Sequence, residues 1–151
     1  MISKKNDSSQ FSGHSRILNL VKHTIMSFTN IAMVNTEHTE WVKGLAFYKD
    51  EMHILENRLT EVATKNTVFE ARQGIEHFQN QFVVQRNNID ELRHKIKEHI
   101  SIFTKLPEML EEVVEDERLA DHENLRDEYQ TFEKLIKELR LEFNKFLAKW
   151  M

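Results

Sequence analysis

Between Ala71 and Phe103 the chain repeats seam-type positions at intervals of four and three without a break: Ala71, Ile75, Phe78, Phe82, Gln85, Ile89, Leu92, Ile96, His99 and Phe103. An α-helix turns once every 3.6 residues, so side chains spaced this way line one stripe, and a stripe held over so many turns is a coiled-coil-like seam. At about 1.5 Å per residue the predicted helix is roughly 55 Å long. A stripe of that length has to be covered by helices of comparable length.

The same spacing recurs on both sides. Trp41, Leu45, Tyr48, Met52, Leu55, Leu59 and Val62 predict a first long helix over about Glu40–Lys65. It ends at Asn66, where Thr67 and Glu70 have the spacing of a capping box. Pro107, the single proline, disfavours helical geometry at Leu106 and suits the first turn of a new helix, predicted over Pro107–Lys149. That third helix reads in two stretches. Leu110, Val113, Glu117, Ala120 and Asn124 come first, then Leu125, Tyr129, Phe132, Ile136, Leu139, Phe143, Phe146 and Trp150, with a phase slip between Asn124 and Tyr129.

With three glycines and one proline in 151 residues, the chain lacks the turns that an all-β or α/β fold would need. The fold class expected is all-α: an elongated antiparallel bundle of three long helices, with a short N-terminal amphipathic helix. Residues 1–15 read as a disordered leader and 16–34 as an amphipathic segment in which Ile17, Leu18, Val21, Ile25 and Phe28 fall at helical spacing. Residues 36–151 read as the bundle.

The predicted helices are unequal, and this suggests a surface. A first helix starting at Glu40 reaches only to the height of Leu92, leaving Ile96, Phe103, Leu106, Leu110 and Val113 open to the N-terminal segment or to a partner. A second apolar strip, Phe69, Val83 and Val84, adds a reason to expect self-association. The partner expected is a second copy, giving a homodimer, or another helical protein. Tyr48, Gln85 and Asn124 fall at similar heights and are expected to form a buried polar layer that sets helix register. Acids between Glu108 and Glu123 face Arg93, Lys95, Lys97 and Lys105 across the Pro107 turn and favour antiparallel pairing of the two helices.

Several chemistries are excluded. The absence of cysteine removes disulfides, thiolate metal sites and cysteine nucleophiles. Gly13, Gly44 and Gly74 cannot build a glycine-rich phosphate loop. A net charge of −4 offers nucleic acid and anionic lipid no general attraction, and no apolar run reaches transmembrane length. Nucleic acid and membrane surfaces are therefore not expected partners, and a cytoplasmic location is expected.

Eight histidines raise the question of metal. Glu91 and His94 have the Glu-x-x-His spacing of ferritin-like bundles, and His94 and Glu98 the His-x-x-x-Glu spacing of haemerythrin-like ones. Both families repeat these motifs facing inward, whereas here each occurs once and beside the seam residue Leu92, facing out. His99, in the seam, reads as half of a structural ion pair. The expectation from sequence is a non-enzymatic helical interaction or scaffolding protein without catalytic residues, metal or cofactor. The alternative is a ferritin-like or haemerythrin-like bundle that binds a metal or small ligand.

Overall fold

The computed structural model describes residues 8–104 and 115–151, and the side chains of all these except 8–12, 23–30 and 115–117. The described residues form three α-helices, α1 (Ser8–Lys65), α2 (Phe69–Thr104) and α3 (Glu115–Trp150), and contain no strand. No helix among them is long and apolar enough to cross a membrane. The chain divides into two compact units, residues 1–37 and 38–151.

In the first unit the described residues belong to α1, with Ile17, Leu18, Leu20 and Val21 all exposed. Helix α1 begins at Ser8 and is unbroken to Lys65. No proline interrupts this stretch, and extending a formed helix costs little once its nucleus exists downstream.

In the second unit α2 runs antiparallel to both neighbours. Glu56 pairs with Arg86 at 3.0 Å and Lys49 with Asp90 at 3.3 Å across α1 and α2. Lys95 meets Glu128 at 2.8 Å and Lys149 meets Glu70 at 3.6 Å across α2 and α3. Contacts between α1 and α3 run in parallel order, Tyr48 with Glu133, Glu51 with Arg140 and Asn66 with Trp150. Asn66 closes the α1–α2 turn, its amide nitrogen donating to the carbonyls of Val62 and Trp150 at 2.9 and 3.0 Å. Helix α2 starts one residue later than a Thr67 cap implies, at Phe69.

The expected seams of α1 and α2 are buried throughout. Trp41, Leu45, Tyr48, Met52, Leu55, Leu59 and Val62 are all core residues, as are all ten positions from Ala71 to Phe103. They enclose Leu125, Tyr129, Phe132, Ile136, Leu139 and Phe143 of α3, and the rings of Phe82 and Phe143 meet edge to face at 5.1 Å. The expected phase slip in α3 is not found. Ala120 and Asn124 are exposed, and the four-three pattern runs from His122 through Leu125 to Phe143 in one phase. Leu110 and Val113, which suggested the other phase, lie outside the described residues.

Gly44 and Gly74 sit inside helices, where glycine costs about 1 kcal/mol relative to alanine. Both admit a ring: a Cβ on Gly44 would overlap the Tyr129 hydroxyl, and one on Gly74 would overlap the edge of Phe146.

Because the seams carry the fold, Phe82→Ala and Phe143→Ala are each expected to lower the unfolding free energy by about 3–5 kcal/mol. Phe47→Ala, at a side chain 61% exposed, should change it by no more than about 0.5 kcal/mol. Urea titration measures all three, and equal losses at Phe47 and Phe82 would contradict this core.

Candidate functional site

Each helix of the second unit places one histidine in its seam at the same level. On α1, stepping back three residues from Trp41 reaches His38; on α3, stepping back three from Leu125 reaches His122; on α2 the seam itself contains His99. Their side chains converge. His38, His99 and His122 are 3%, 5% and 1% exposed, which removes all three from solvent. One ring nitrogen from each lies within 4.8 Å of those of the other two.

The rings are held from several sides. His99 and His122 stack at 5.3 Å and 26°, and His38 meets both edge-on, at 5.0 and 5.1 Å. Trp41 stacks on His122 at 4.9 Å, and Phe103 packs against His99 at 4.7 Å and His38 at 5.9 Å. His38 Nε2 and His99 Nδ1 are hydrogen-bonded at 2.8 Å, and His99 Nε2 faces the Arg118 carbonyl oxygen at 3.4 Å. A carbonyl only accepts, so His99 carries its proton on Nε2 and its Nδ1 accepts from the Nε2–H of His38.

Burial pushes the His99 imidazole below its ordinary value of 6.5, and His122 acts in the same direction, opposed by the Arg118 carbonyl and Asp121. The neutral form is the one that accepts a hydrogen bond through Nδ1 or offers that lone pair to a metal ion. Farther along the bundle the Tyr48 hydroxyl donates to Glu133 Oε1 at 2.8 Å, and burial together with that carboxylate pushes the phenol up to about 12. Tyr129 is pushed up as well, first by its burial and then by Glu133.

Such a layer can bind a transition-metal ion. Zinc is held by imidazole nitrogens at about 2.0–2.1 Å, which places tetrahedral ligands about 3.3–3.4 Å apart. The 2.8 Å pair must open and wider pairs close, adjustments within reach of side-chain rotation. His38 must move its proton from Nε2 to Nδ1, whereas His99 already presents Nδ1 and keeps its other N–H on a backbone carbonyl, the support that orients metal-bound histidines.

The sequence-based candidates fare differently. His99 lies in the seam as expected and meets His38 and His122 there; Glu111 and Glu112, the acids expected beside it, lie outside the described residues. Ile96 and Phe103 are buried, so they do not form the expected open surface; α1 begins well before Glu40 and supplies His38 and Trp41 beside Phe103. Leu106, Leu110 and Val113 lie outside the described residues. The expected polar layer is not assembled. Tyr48 and Gln85 are buried, Asn124 is exposed, and Gln85 Oε1 accepts from Asn88 at 3.2 Å while Tyr48 turns to Glu133. His94 and Glu98 pair at 3.2 Å on the exposed side of α2, as their position beside Leu92 implied. A groove of about 400 Å³ between α2 and α3, floored by Leu92 and Phe132, is not lined by the histidines.

The depressed His99 value predicts acid sensitivity. The stability it contributes is fully present above pH 6.5, where the unfolded imidazole is also neutral, and is lost as pH falls from there through the lower folded value. In metal-free protein the urea midpoint should fall between about pH 7.5 and pH 5, and His99→Phe should flatten that slope; an unchanged slope would show that His99 does not carry it. Comparison of the chain with family models, with characterised proteins and with solved structures yields no match, so the reading of the site rests on its own geometry.

Proposed function

We propose that this chain is a non-enzymatic metal-binding helical bundle whose ion is held by His38, His99 and His122. One observation carries the reading: three buried imidazoles, one from each helix, bring ring nitrogens within 4.8 Å of one another. Polar side chains in a core cost stability unless they are partnered, and three at one level exceed what fixing helix register requires. An all-imidazole set suits zinc, copper, nickel or cobalt and not the oxygen-seeking magnesium or calcium. Zinc is the ion proposed, because it accepts a compact set of neutral imidazoles without a redox partner. Binding at a layer shared by three helices draws them together, so ion occupancy and bundle stability are linked.

Zinc is expected to bind once per chain and to raise the thermal midpoint, by an amount corresponding to about 2.7 kcal/mol at a hundredfold excess over Kd. Magnesium and calcium should not. His122→Phe should abolish the rise, while His94→Ala, which removes the exposed pair, should keep it. Should zinc leave the wild-type midpoint unmoved, the histidines form only a register-setting polar layer.

A second reading, self-association, keeps one of its original supports. Phe69, Val83 and Val84 of α2 are 71%, 45% and 49% exposed, forming an apolar strip outside the core. Of the other support, Ile96 and Phe103 are buried, and Leu106, Leu110 and Val113 lie outside the described residues. Light scattering should show a dimer that Val83→Lys weakens, and a monomer across a wide concentration range would contradict this reading.

A further inference from the structure

Trp41 does more than fill space beside the histidines. It stacks on His122 at 4.9 Å and 25°, meets His38 edge-on at 5.8 Å, and also stacks on Tyr129 at 5.8 Å and 27°. Tyr129 is in turn seated by a gap. Its hydroxyl occupies the space that a Cβ on Gly44 would need, and Cζ would lie 3.2 Å from that Cβ. Gly44 follows Trp41 by three residues on the same helix, so glycine at this point lets the Tyr129 ring approach α1 and stack on Trp41.

We propose that Gly44, Tyr129 and Trp41 form a brace that sets the orientation of the His122 ring, and through it the coordination geometry of the ion held by His38, His99 and His122. The proposal rests on the metal-binding reading above. Trp41 and Tyr129 are positioning residues: neither offers the ion a nitrogen or oxygen donor of its own. The other ligands have different supports. His99 is oriented by the Arg118 carbonyl, and Phe103 packs on both His99 and His38. His122 is stacked on by Trp41 at 4.9 Å and by His99 at 5.3 Å, and of these two rings Trp41 is the one that offers the ion no donor. Groups that orient metal ligands without touching the metal typically change affinity by about 10–100-fold when removed, and a brace that reaches His122 through one stacked ring belongs in that range.

The test uses cobalt(II) as the probe, since its visible ligand-field spectrum reports coordination number and symmetry directly, with zinc affinity measured by competition. Wild-type protein should give an intense four-coordinate spectrum, with three imidazoles and one water on the cobalt. Gly44→Ala, which touches no histidine, should displace Tyr129, weaken that spectrum or shift it towards higher coordination, and lower zinc affinity about 10-fold or more. Adding Tyr129→Phe to Gly44→Ala removes the clashing oxygen and should restore both the spectrum and the affinity. Trp41→Phe, which keeps a stacking ring, should stay close to wild type, whereas Trp41→Leu should reproduce the Gly44→Ala change; this pair decides the matter if Gly44→Ala fails to fold. A purely structural brace would lower the melting temperature and leave the cobalt spectrum of folded protein unmoved, and that result overturns the proposal. Wild-type protein with no cobalt spectrum at all overturns the metal-binding reading itself.

Discussion

The architecture depends on one constraint: three seams of four-three spacing must meet layer by layer, each helix contributing one side chain to each level. Most layers satisfy it with apolar bulk, as where Phe78 and Phe82 of α2 close on Phe143 of α3. Rings do much of the packing because the helices lie side by side over many turns, and each aromatic buries a large area in well-defined rotamers. Gly44 and Gly74 accommodate this ring-rich core, each giving up a Cβ where an aromatic from α3 crosses close to a backbone.

At the level of His38, His99 and His122 the same constraint is met with imidazoles. A dry layer of three such rings is tolerable when they are neutral and mutually hydrogen-bonded, and the His38–His99 bond with the Arg118 carbonyl provides part of that. Protonation introduces charge into a buried place, and burial holds His99 below its ordinary value accordingly. A metal ion resolves the same layer differently, by turning lone pairs towards a common centre. Protons and metal thus compete for one set of nitrogens, which ties occupancy to pH.

Much of the fold was legible because the seams of α1 and α2 are periodic and long, and every apolar position assigned from Trp41 to Val62 and from Ala71 to Phe103 is buried. The site was not, for a reason that lies in residue type. His38 and His122 occupy seam positions three residues before Trp41 and Leu125, but a search for apolar periodicity stops at the last apolar residue. Extending each period by one step finds both. A first helix that begins at Glu40 leaves Ile96 and Phe103 open, whereas α1 begins at Ser8 and both residues are buried. The second phase that the sequence suggests for helix three passes through Ala120 and Asn124, whose side chains are exposed. His99 reads from sequence as half of an ion pair because His38 and His122, the rings it meets, are not assigned to the seams.

The most direct measurement of the central claim is anomalous X-ray diffraction at the zinc absorption edge from crystals of the zinc-loaded protein. The account predicts one strong peak per chain inside the bundle, about 2.0–2.1 Å from a ring nitrogen of each of His38, His99 and His122. Density only at the exposed His94–Glu98 pair, with the His38–His99 hydrogen bond intact and no peak between the three seam imidazoles, would contradict it.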